Sequence, residues 1–197
     1  MPKAPRVAVL GFRPHTYWTA AVALAGKAAA PEVMARRRID FASGETRQVY
    51  HRIEGMTRAD AEGWLAQVWA ITEANARSGI DEMLNSLKAE GVTVDEGMVP
   101  IGRVKVPDRL EDVLASHSYM HAAEGDFYRG VVAEACSNLG LAVHRVIERN
   151  LAGEVASLIG AGPAALGARL KAMGAPLGPP WSEDQKLAAL AAWTRLF

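Results

Sequence analysis

Between Ser116 and Arg129 the chain sets His117, His121, Glu124 and Tyr128 at positions i, i+4, i+7 and i+11. On a helix those four side chains share one face, and that face is expected to look inward, where polar groups are costly unless paired. Two chemistries fit. A His-x3-His pair points two imidazoles the same way and can hold a metal with Glu124 beside it. Alternatively the face is a buried polar network in which Glu124 accepts hydrogen bonds from His121 and a basic partner. Ser118 follows the first histidine, where a zinc protease motif requires glutamate, so His-Glu-x-x-His chemistry is excluded.

The turn Arg13-Pro14-His15-Thr16-Tyr17-Trp18 is the second candidate. Proline fixes the turn, while Arg13, His15 and Trp18 offer cationic and aromatic surface at a strand end, a frequent place for ligands. The bland alternative is a loop whose aromatic residue packs on the sheet. Trp64, Trp69, Trp181 and Trp193 fall at helical packing positions and read as core. Ala161-Gly162-Pro163 lacks the Gly-Lys-Ser/Thr ending of a phosphate loop. Arg36-Arg37-Arg38 reads as a solvated strand end, with a phosphate contact as the alternative.

These residues must be positioned by an alternating set of elements. Arg6–Phe12 is short, rich in β-branched residues and closed by Gly11 and Pro14, as a buried strand is. Tyr17–Leu24 and Val33–Phe41 read as further strands, and Thr46–Ile53 as a fourth. Thr57-Arg58-Ala59-Asp60 caps a helix through Leu65, Val68, Trp69 and Ile71, which Gly79 is expected to interrupt. Val92–Ile101 is a strand, Leu110–Leu139 one long helix ended by Gly140, and Leu141–Ile147 another strand. Helices follow at Leu151–Ile159 and Ala164–Met173. After Gly178-Pro179-Pro180-Trp181, Ser182 caps a last helix with Asp184 in its first turn. The order places a mixed sheet between helices, within one domain spanning the 197 residues.

Composition narrows the functional classes. Lys+Arg and Asp+Glu both total 22, so no global field draws the chain to nucleic acid or to an anionic membrane, and any basic site is local. The single cysteine, Cys136, excludes an internal disulfide and lies in an apolar helical run, which suggests an inert thiol. Met1-Pro2-Lys3-Ala4-Pro5 leads into a strand without a signal region, and no apolar run reaches membrane-spanning length. A soluble, cytoplasmic protein is expected, with a homodimer left open.

The element order and short motifs resemble the ribonuclease H-like superfamily, and within it the Holliday-junction resolvase (RuvC-like) branch. That branch opens with a strand and Gly-x-Asp-Pro-Gly; here the run is Gly11-Phe12-Arg13-Pro14-His15. Its glycine-rich connector and Asp- and Ala-rich terminal helix are similar to Gly160–Pro163 and Glu183–Leu190. The resemblance implies a three-layer α/β fold with a five-stranded mixed sheet, three antiparallel strands followed by two parallel ones. It also implies two divalent cations held by carboxylates on the first strand, the fourth strand and the last helix.

The departures point elsewhere. Arg13 occupies the aspartate position, and a fixed cation repels metal. Glu96 (or Asp95) stands for the fourth-strand carboxylate. The terminal helix supplies Glu183 with Lys186 in one register and Asp184 in the other. Glu124 is expected to meet Arg13 or His15, forming a charge-assisted pair where such nucleases hold metal. The implied function is a diverged, non-catalytic protein with no cofactor, which binds a protein partner, nucleic acid or anionic ligand around Arg13, His15, His121, Glu124 and Lys186. The competing reading is a phosphodiester hydrolase using magnesium or manganese on His117, His121, Glu124, Glu96 or Asp184.

Overall fold

A computed structural model describes residues 6–196. The reading of Met1–Pro5 lies outside them. Five strands form one sheet: β1 (Arg6–Pro14), β2 (Trp18–Lys27), β3 (Ala30–Asp40), β4 (Val92–Ile101) and β5 (Ala142–Ile147). Their spatial order is β3-β2-β1-β4-β5, with β1, β2 and β3 antiparallel and β4 and β5 parallel to β1. The expected α/β architecture, three antiparallel strands and then two parallel, is what forms.

Alternation along β1 assigns the two faces. Ala8, Leu10 and Phe12 point into a core shared with helices α2 (Arg58–Ala89) and α4 (His117–Asn138). Val9 points into the opposite core, shared with α5 (Leu151–Leu158), α6 (Pro163–Gly174) and α7 (Glu183–Trp193). Helix α7 lies hard against the sheet. Ala188, Ala189, Ala191 and Ala192 are buried without leaving bulk between the backbones. A Cβ on Gly11 would overlap the Ala188 carbonyl oxygen.

Three sequence expectations fail in instructive ways. Thr46–Ile53 is not a strand: a 3-10 turn (Gly44–Thr46) leads through Gln48, at φ +50°, into the short helix α1 (Val49–Arg52). Gly79 does not interrupt α2, which runs unbroken from its Thr57 cap. A Cβ there would collide with Ile39 of β3, so this glycine serves close helix–sheet packing. The helix expected from Leu110 to Leu139 is broken at Ala115-Ser116 into α3 (Leu110–Leu114) and α4, with Ser116 extended at φ −139°. His117 therefore opens α4 rather than lying within a longer helix.

The tryptophans pack as expected. Trp193 is fully buried and donates to the Ala28 carbonyl, Trp181 covers Gly174, and Trp69 packs on Phe127 with Trp64 at the edge of the same core. Among the described residues no single helix is long and apolar enough to cross a membrane.

Candidate functional site

Two polar clusters flank the sheet, and the residues expected to converge are divided between them. The first lies at the carboxyl ends of β1, β4 and β5, the usual ligand-binding edge of such a sheet. Arg13 is in step with Val9, so it faces the α7 side, where its Nη2 pairs with Glu148 Oε1 at 3.3 Å. Glu148 follows directly on β5, and its other oxygen lies 3.9 Å from Arg129 Nη2 of α4. The Nε atoms of both arginines and Glu148 Oε2 are buried without hydrogen-bond partners. Beside them is a cavity of about 440 Å³ lined by Gly102, Arg103, Arg129, Glu148, Arg149 and Leu187, among others. Arg145 donates to the Arg129 carbonyl at 3.4 Å, and burial holds its guanidinium below the ordinary arginine range.

The neighbouring turn carries the other members of this edge. His15 stacks on Trp18 with ring centroids 4.2 Å apart, and Arg38 lies over the Trp18 ring at 4.1 Å. His15 Nε2 donates to Asp184 Oδ1 at 2.8 Å, tying the turn to the first turn of α7. Asp184, not Glu183, is thus the terminal-helix carboxylate at the strand ends. Glu183 pairs with Lys186 Nζ at 2.6 Å.

The two-cation arrangement implied by the fold does not fit these residues. A cation stands at Arg13, the nearest carboxylate is already balanced by two arginines, and Asp184 is engaged by His15. Glu96 is not at this edge. It pairs in register with Val9, four residues before Arg13, or about 13 Å along the strand. There Arg195 Nε approaches it at 2.8 Å and His144 Nε2 at 3.0 Å. Its hydrogen bond from Arg195, with the Arg195 charge and the neighbouring His144 adding to the effect, holds the carboxyl below the usual carboxylate range.

The second cluster lies on the opposite face, around α4. Glu124 does not meet Arg13 or His15, because β1 presents Arg13 to α7 while α4 covers the other side. Its partner is His51 of α1, whose Nδ1 lies 2.8 Å from Glu124 Oε1. His121 Nδ1 is 3.8 Å from Oε2 of the same carboxylate, and the Nε2 atoms of His121 and His117 are 2.8 Å apart. Glu124 and Tyr128 are buried as expected, but His117 and His121 are exposed. Tyr128 turns away and donates to the Thr46 carbonyl at 2.6 Å; burial, with Glu124 nearby, pushes its phenol above the usual tyrosine range. A cavity of about 690 Å³ opens here, lined by Thr16, Tyr17, Arg47, His51, His121 and Glu124, among others.

Glu148, His51 and the arginines Arg103, Arg129, Arg145 and Arg149 were not anticipated as site residues. Glu148 had one sequence signal, a carboxylate just past the last parallel strand. His51 had none, since it was read as part of a strand. The Arg36-Arg37-Arg38 run is committed to structure. Arg36 holds the carbonyls of Leu177, Gly178 and Pro180, Arg37 pairs with Glu82, and Arg38 pairs with Asp40.

No family model and no curated protein matches the chain. Solved structures do. Thermus thermophilus RuvC in complex with a Holliday junction substrate superposes with a TM-score of 0.51 at 12% identity, over 95% of this chain and 91% of that one. A second T. thermophilus RuvC structure covers the same shares at 14% identity, with a TM-score of 0.49. At this identity the likeness is one of fold, and the fold is the ribonuclease H-like one of RuvC.

Proposed function

We propose that the chain is a diverged ribonuclease H-like protein that binds nucleic-acid phosphate at the carboxyl ends of β1, β4 and β5 without two-metal hydrolysis. The observation that carries this reading is the Arg13–Glu148–Arg129 group in the place where the fold's nucleases gather carboxylates. Arg129 also pairs with Asp126 at 3.3 Å, so the group is balanced in charge, but two buried Nε donors have no acceptor. Arg103 and Arg149 line the adjoining cavity. Guanidinium groups recognise phosphate in a planar, bidentate way, which suits a strand-end cleft. The overall charge balance of 22 against 22 makes this a local electrostatic site rather than a general polyanion surface. The solved relative named above carries a Holliday junction in its structure, which makes branched DNA the first substrate to test.

The test is fluorescence anisotropy of the full chain with four-way-junction, duplex and single-stranded DNA, in rising salt, with and without magnesium or manganese. Binding that weakens with salt, falls in R103E and R149E, and leaves the DNA intact supports the reading. Magnesium- or manganese-dependent cleavage would establish the competing hydrolase instead. Absence of binding to all three substrates would remove nucleic acid as the ligand.

A further inference from the structure

The geometry points to a second site, independent of the nucleic-acid reading: a three-histidine site for a zinc-class divalent cation, formed by His51, His117 and His121. One ring nitrogen from each of the three lies within 4.8 Å of the others. They come from two elements. His117 and His121 are one turn apart on α4, and His51 is carried to them by the last turn of α1.

Glu124 supplies the feature that distinguishes a ligand set from histidines that merely lie close. A carboxylate only accepts, so the His51 nitrogen 2.8 Å from Oε1, its Nδ1, carries the proton. His121 turns the same nitrogen toward Oε2 at 3.8 Å. The His51 ring is thereby held with Nδ1 on the buried carboxylate and Nε2 directed away, while His121 faces the same carboxylate from beyond hydrogen-bond reach. The His51 contact is the carboxylate–histidine arrangement that fixes the tautomer and raises the basicity of metal-bound imidazoles. His121 Nε2 and His117 Nε2 stand 2.8 Å apart, a contact in which one ring donates a proton and the other accepts it. A cation entering between them replaces that proton, so binding releases it.

Donor type selects the ion. Three imidazoles suit zinc, cobalt, nickel or copper and are poor ligands for magnesium or calcium, which take oxygen donors. The site is thus chemically separate from the oxygen-ligated cations of the fold's nucleases. In tetrahedral zinc with bonds of about 2.05 Å, ligand nitrogens stand about 3.3 Å apart, a spacing these rings reach by small side-chain rotations. His51, His121 and Glu124 also line the cavity of about 690 Å³, so a fourth coordination position opens onto it. Three protein ligands with an open position is the pattern of reactive rather than structural zinc. Arg47, stacked over Tyr17 at 3.9 Å, lines the same cavity and favours an anion in that position.

The experiment is titration of the EDTA-dialysed full chain with zinc by calorimetry, and with cobalt followed by its visible absorption. One cobalt per chain with the absorption of a tetrahedral nitrogen-ligated ion is expected. His117→Ala and His51→Ala should abolish that spectrum. E124Q should keep the stoichiometry and weaken affinity by about 10–100-fold. His144→Ala, which removes a histidine paired with Glu96 elsewhere, should leave binding unchanged. His117 is exposed, so its variant tests the site without disturbing the core, and circular dichroism confirms the fold of each variant. No binding, or binding that survives loss of His117 and His51 alike, overturns the proposal. So does equal affinity in E124Q, which would reduce the set to adventitious surface imidazoles.

Discussion

His51 Nδ1 donates to Glu124 Oε1 across 2.8 Å, and this contact joins the short helix α1 to the third turn of α4. Glu124 is only 6% exposed, so its charge has given up water for imidazole donors. A hydrogen bond to a charged group contributes about 1.5–3 kcal/mol, more than a neutral one. Glu124→Gln keeps the shape and loses the charge, and should lower urea-unfolding stability by about 1–2 kcal/mol. His51→Ala should cost a similar amount, and the double variant less than the sum. Additive losses in that cycle would show that the two residues do not support one another.

Gly11 makes the closest approach of sheet to helix. A methyl group there would overlap the Ala188 carbonyl oxygen and stand 2.6 Å from the Ala192 nitrogen, both backbone atoms that cannot rotate away. Gly11→Ala should therefore cost about 3 kcal/mol or more, at the upper end of overpacking penalties. Gly63, exposed in the first half of α2 with open space at its Cβ, is the matched control. Gly63→Ala should stabilise by up to about 1 kcal/mol through helix propensity alone. Guanidinium melts of the two variants compare them directly.

The strand order and the capped helices were legible because their signals are local. β-Branched runs closed by Gly or Pro, the Thr57 cap and the Ser182 cap all act within a few residues. The pairing of Glu124 was misread, although parity along β1 contains the correction. Arg13 is two residues from Gly11 and four from Val9, so it must face α7, while Leu10 and Phe12 face α4. His51 was not legible at all. Its role depends on α1, whose four residues are too few to show a helical period, and whose entry at Gln48 uses an unusual positive φ. Gly79 misled for a related reason, since its need for a glycine lies in Ile39, forty residues away. The distance of Glu96 from Arg13 was not legible either, because spacing alone does not give register, and register sets Glu96 opposite Val9.

Arg13 and Glu148 hold each other at 3.3 Å with side chains 21% and 27% exposed. Removing one partner of such a pair leaves an under-solvated charge behind, which costs more than the pair contributes net. Arg13→Met should lower stability by about 1–3 kcal/mol. Adding Glu148→Leu should recover part of it, since the counter-charge of Arg13 then leaves too while Arg129 keeps Asp126. If R13M/E148L is less stable than the sum of the single variants, the ion pair is not the reason Arg13 matters.

Cys136 sits in α4 with no exposure, against Gly97 of β4. Burial pushes its thiol up to about 12, so it is protonated throughout the neutral range. The thiolate is the reactive form. In the native chain a disulfide reagent at pH 8 should therefore label Cys136 only as fast as the protein opens. In denaturant labelling should be immediate and stoichiometric. Rapid native labelling would place the thiol in a far more open environment than α4 provides.

Glu96 gives the fold an acid-sensitive element away from either cluster. Its carboxyl is held below the ordinary range by the hydrogen bond from Arg195, with the nearby His144 adding to the effect. In the unfolded chain it returns to about 4.3. A lowered folded-state value means the unfolded state binds the proton more readily, so stability from this group is fully present above the unfolded value. It is lost as the pH falls through the lower, folded one. The pair is partly exposed, so the effect is modest, about 0.5–1 kcal/mol. Urea unfolding between pH 7 and pH 3 should show wild type losing that much more than E96Q, whose amide does not titrate in this range. Parallel curves would mean that Arg195 does not hold Glu96 in solution.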